Sequence, residues 1–172
     1  MKKLTILLLV IGLSQSLSAQ LNRQALRNLF LKAIDHKHTL DSFSTILENK
    51  QNRNFLEDSY LGMCYALKAG QATGNFAKIK LVWKAHRHLN NSIAAQPNDP
   101  EPRFFRFMLE HHLPSFLGLN KDIPADLQVI FKQPNFLDDN LAMKKKVIEF
   151  LLWTNRCNAS QIAQLKGQLA KL

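Results

Sequence analysis

Residues 58–69 read DSYLGMCYALKA. At about 100° per residue, Tyr60, Met63, Cys64 and Leu67 share one face of a helix, and Leu61, Tyr65 and Ala69 cover the next. Gly62 and Ala66 sit one turn apart on a third face, and Lys68 is the only charge beyond Asp58. A helix that is apolar nearly all round is a buried helix. This one falls short of the roughly 20 apolar residues needed to span a bilayer. The stretch predicts the central helix of an all-α domain, with small residues where a neighbouring helix can approach closely.

Downstream, Gly70 and Gly74 break the pattern and predict a loop over 70–75. A second helix follows from Phe76 to Ala95. Phe76, Ile79, Val82, Trp83, Leu89 and Ile93 fall on one arc, with His86 and Asn90 inside it, and this arc is expected to face the core. Lys80, Lys84, Arg87 and His88 form a basic stripe on the adjacent arc. Pro97 ends the helix. Asp99 is a good N-cap, Pro100 a good first helical residue, and Glu101 suits the positive end of the helix dipole. The third helix, Pro100 to His112, is wrapped by Phe104, Phe105, Phe107, Met108 and Leu109. Arg103, Arg106 and Glu110 share its remaining face, as an ion network or an anion-holding pair of arginines. Pro114 stops it and Gly118 closes the loop beyond.

Leu61, Gly62, Tyr65, Ala85, Leu89 and Pro97 resemble the consensus positions of the tetratricopeptide repeat. The pattern departs from that consensus at Asp58, where Trp is preferred, and at Ser92, where a small Ala is usual. It is also similar to that of exported bacterial helical proteins. The resemblance implies an antiparallel array of helical hairpins and implies no activity.

The flanks read as helices too. Leu26, Leu29, Phe30, Ala33 and Ile34 mark one, and Leu40, Phe43, Ile46 and Leu47 another that starts at Thr39 or Asp41, with Asp35-His-Lys-His as the joint. Residues 49–54 are expected to be a polar loop. After Gly118, Pro124 suits a helix start and Leu127, Ile130 and Phe131 give its face. Pro134 ends that helix, and Asp138 and Asp139 favour the start of the next, where Leu141, Ile148, Leu151 and Leu152 line up. Asn158 with Gln161 caps the last helix, whose stripe is Ile162, Leu165 and Leu169. About eight helices joined by short loops make one domain over 20–172.

Residues 1–19 have the form of a secretory signal peptide. Lys2 and Lys3 precede the apolar run from Leu4 to Leu13, and small residues lead to a cut expected after Ala19. A periplasmic or secreted location follows, with no transmembrane segment expected in the mature chain. Removing Lys2 and Lys3 from 23 basic residues against 13 acidic ones leaves a net charge of about +8. No Asp or Glu occurs between Asp58 and Asp99. That excess favours an acidic protein or an anionic envelope component over nucleic acid, which is not expected outside the cytoplasm.

No motif commits the chain to a reaction. Gly-rich phosphate loops, Gly-x-Ser-x-Gly and His-Glu-x-x-His are absent from the sequence. The histidines come as His36/His38, His86/His88 and His111/His112, and spacings of one or two residues do not aim both rings at one ion on a helix. His86 and His111 both lie toward apolar arcs, where they can meet across the hairpin or stand as hydrogen-bonded core histidines. Cys64 and Cys157 leave two options open, a disulfide or two separate thiols. The reading is a non-enzymatic scaffold or adaptor, monomeric or weakly associating. No cofactor, metal ligand or catalytic residue is assigned. The candidate surface is Lys80, Lys84, Arg87, His88, Arg103 and Arg106. The alternative is a histidine- or metal-dependent enzyme.

Overall fold

The computed structural model describes residues 23–172, and the expected signal segment 1–19 lies outside them. Among the described residues there are eight α-helices, one 3₁₀ turn at Ser115–Leu117 and no strand. The helices are α1 over 23–35, α2 Lys37–Asn49, α3 Phe55–Gln71, α4 Asn75–Ala95, α5 Pro100–His111, α6 Ile123–Lys132, α7 Leu141–Trp153 and α8 Ala159–Leu169. Within them no helix is long and apolar enough to cross a membrane.

α3 is the buried centre that its composition predicts. Leu56, Tyr60, Leu61, Met63, Cys64 and Tyr65 are all buried. It begins earlier than expected, because the polar run before it is a cap and not only a loop. Asn54 accepts from the Glu57 backbone N–H at 3.0 Å, and the Glu57 carboxylate accepts from the Asn54 N–H at 3.0 Å. This reciprocal pair satisfies two N–H groups that the helix start leaves without partners. The helix therefore starts at Phe55 rather than Asp58.

α3 and α4 run antiparallel across the short loop 72–74 and pack tightly at Gly62. A Cβ there would lie 3.0 Å from Leu89 Cγ and 3.1 Å from the Ala85 carbonyl oxygen. Ala85 and Leu89 are fully buried at this contact. The turn into α5 follows the sequence closely. Asp99 accepts from the Glu101 N–H at 3.0 Å, and Pro100 opens the helix. Gly118 has φ 66°, the left-handed region that favours glycine. Asn158 and Gln161 form the expected capping box of α8.

Glu101 does more than complement a dipole. It is fully buried where α1, α3 and α5 meet. Arg27, also fully buried, grips it with Nη2 at 2.7 Å and Nε at 3.1 Å. The Tyr60 hydroxyl donates to it at 2.5 Å, and Arg23 adds a contact at 3.1 Å. Arg27 also reaches Asp139 at 2.5 Å and donates to the Phe136 carbonyl, tying α1 to the loop before α7. The rings of Phe30, Tyr60 and Phe105 pack around this cluster, with centroids 5.0–5.5 Å apart. Burial and the adjacent Glu101 charge push the Tyr60 hydroxyl well above its ordinary pKa, so it stays a donor.

Two other expectations shift. α2 starts at Lys37, not at Thr39 or Asp41, and only His36 separates it from α1. Asn140, not Asp138 or Asp139, caps α7 by accepting from Met143 N–H. With that start, Met143, Val147, Ile148 and Leu151 face inward and Leu141 is exposed.

Candidate interaction surface on the fourth helix

α4 buries only part of its apolar arc: His86, Leu89 and Ile93 are inside, whereas Phe76, Ile79 and Trp83 are not. Ala85, His86, Leu89, Ser92 and Ile93 face the core, all in the second half of the helix. Phe76 is 84% exposed, Trp83 50% and Ile79 44%. The cause is length. α4 has 21 residues and α5 has 12. At about 1.5 Å per residue, α5 falls short of α4 by more than two turns. Pairing begins at the Pro97–Asp99 turn, and the last turn of α5 meets His86, whose Nε2 lies 3.2 Å from Glu110 Oε1. Residues 76–84 thus continue past the end of α5.

A groove of about 710 Å³ opens beside this overhang, between α3, α4, the end of α5 and the 3₁₀ turn. Met63, Leu67, Ile79, Val82, Met108 and Leu117 line it, and Phe116 stands exposed at its edge. On the other flank of α4 lies a shallow hollow of about 860 Å³. Phe76, Ile79, Trp83, Lys80, Lys84 and Arg87 all border it. Aromatic rings and basic groups therefore share one patch.

The six residues singled out from sequence separate into two groups. Lys80 and Arg87 are exposed, and neither has an ion-pair partner among the described residues. Lys84 lies over the Tyr65 ring at 4.9 Å. His88 turns toward α3, stacking on Tyr65 and pairing with Asp58 through Nδ1 at 2.9 Å. Burial opposes ionisation of Asp58, yet the hydrogen bond and charge of His88, with those of Arg53, hold its carboxyl below the ordinary range. Arg103 and Arg106 do not join the stripe. Both bind Asp126 of α6, Arg103 at 2.9 Å and Arg106 at 2.7 and 2.8 Å, and Arg106 is buried. The ionic face of α5 is real, but its counter-charge comes from α6 and not from Glu110, and an anion would meet guanidiniums already filled.

The histidines do not gather. His36 and His38 are exposed. His86 meets Glu110, whereas His111 packs among Phe107, Phe150 and Trp153. Burial, with the His112 and Arg156 charges, lowers the His111 pKa. Cys64 and Cys157 are both free thiols. Burial pushes Cys64 up to about 12, which leaves it no thiolate for nucleophilic chemistry.

The exposed Phe76 and Trp83 were legible only as apolar residues. That they stay outside depends on where α5 ends. Compared with protein-family models, with curated proteins and with solved structures, the chain matches none.

Proposed function

We propose that this chain is an exported, non-enzymatic helical scaffold of tetratricopeptide-like hairpins that binds an acidic, amphipathic protein segment on α4. One observation carries the reading: Phe76 and Trp83 stand exposed beside Lys80 and Arg87, which have no acidic partner among the described residues. Contiguous exposed apolar surface beside a polar rim is typical of interaction sites. Interface cores favour aromatic rings and Arg, and a rim of one charge sign steers a partner of the other. α4 carries no acidic residue over its 21 positions, so nothing on it would repel such a segment. The close packing at Gly62, Ala85 and Leu89 supports the hairpin reading, and the Lys2–Ala19 pattern supports export.

The test combines charge reversal with aromatic removal. Lys80→Glu/Lys84→Glu/Arg87→Glu and Trp83→Ala are compared with wild type for thermal stability and for binding to a synthetic acidic amphipathic peptide and to anionic vesicles. Near-normal melting with lost peptide binding supports the reading. Unchanged peptide binding in both variants contradicts it. Vesicle binding without peptide binding would replace the peptide with an anionic lipid surface.

A further inference from the structure

We propose that His86, Glu110 and Asp122 form a binding site for a borderline divalent cation of the Zn²⁺ class. The three come from separate elements: mid-α4, the last turn of α5 and the residue that opens α6. One ligating atom from each lies within 4.8 Å of the other two. Sequence spacing did not show this, because no two of them are neighbours on one helix.

The second observation is an unpartnered buried carboxylate oxygen. The Glu110 side chain is fully buried, and its Oε2 has no hydrogen-bond partner among the described residues. The nearby cation Arg106 acts on Glu110 only through space, because its short contacts go elsewhere. Arg106 and Arg103 both bind Asp126, and Arg106 reaches Asp122 only at 3.5 Å. Arg106 Nη1 donates to Asn90 Oδ1 at 2.8 Å, which turns the Asn90 amide nitrogen toward His86 Nδ1 at 3.2 Å. With Nδ1 accepting, the ring presents its Nε2–H to Glu110 Oε1. A buried carboxylate with one lone oxygen and no directly bonded cation is a costly arrangement, and a cation between Glu110 and Asp122 relieves it.

One imidazole and two carboxylates suit Zn²⁺, Mn²⁺ or Fe²⁺ better than Mg²⁺ or Ca²⁺, which prefer oxygen alone. Ligation through Nε2 leaves the ring proton on Nδ1, so metal binding has to displace the Asn90 amide that now donates there. Asp122 is about a third exposed (31%), so an ion can enter from solvent and water can complete its coordination.

The probe is Zn²⁺, titrated into the metal-free protein by calorimetry, with Mg²⁺ for comparison. One equivalent of Zn²⁺ per chain is expected, bound more tightly than Mg²⁺ and raising the melting temperature. Asp122→Asn and Glu110→Gln should each weaken binding at least about tenfold, and His36→Gln/His38→Gln should leave it unchanged. Asp122, at the surface, keeps the test valid should Glu110→Gln fail to fold. Absence of stoichiometric binding overturns the proposal. So does binding that survives Asp122→Asn and vanishes with the exposed His36/His38 pair.

Discussion

At the residue scale, the most consequential side chains are ones whose partners lie far away in sequence. Glu101 looked like an ordinary first-turn acid. Its partner Arg27 is 74 positions upstream, and nothing local signals that pairing. Arg27→Ala strands a buried carboxylate, so it should cost about 3–5 kcal/mol, read as a lower urea midpoint. A loss below 1 kcal/mol would mean that water or Arg23 replaces Arg27. Asp58 gives a pH prediction. Its folded pKa lies below its ordinary 3.8, so it favours the folded state above that pH, and this contribution fades as pH falls through the folded value. The urea midpoint should therefore drop below about pH 4, and Asp58→Asn should flatten that acid limb. His88 was legible as part of a basic stripe, but its pairing with Asp58 was not, because only the α3–α4 packing brings the two together.

At the element scale, caps and turn residues were legible because their chemistry is local. Asp99-Pro100, Gly118 and Asn158…Gln161 all act where the sequence placed them. Asn54…Glu57 has the same signature, but the polar run 49–54 that ends on Asn54 reads as a loop. Asp99→Ala should cost about 1 kcal/mol for the lost cap, and more if its 2.6 Å pair with Arg23 also contributes. Chemical denaturation reads both. Gly62 tests the α3–α4 contact. Gly→Ala in a helix normally gains about 1 kcal/mol. Here the new methyl meets the Ala85 carbonyl and Leu89, where overpacking costs about 1–3 kcal/mol. Net destabilisation is expected, and a higher melting temperature would mean that the two helices separate easily. The exposure of Phe76, Ile79 and Trp83 on α4 has a cause beyond any one helix. Periodicity shows which residues share an arc, not how far the neighbouring helix extends.

At the scale of the whole molecule, an all-α array was legible from periodicity over the whole chain, and the structure has it. The interaction surface was only half legible. Lys80, Lys84 and Arg87 were visible as a stripe, whereas Phe76 and Trp83 were assigned to the core. The mismatch between the lengths of α4 and α5 brings them out beside the stripe and opens the groove next to them. The central claim is that this overhang is a binding face, and Trp83 reports on it directly. Trp153 is the other tryptophan, so Trp153→Phe leaves Trp83 as the sole indole. The measurement is the emission of that protein during titration with an acidic amphipathic helical peptide, at low and high salt. A saturable blue shift, weakened by salt and abolished by Lys80→Glu/Lys84→Glu/Arg87→Glu, is the predicted result. Unchanged Trp83 emission at saturating peptide, in a protein shown to be folded, would contradict it.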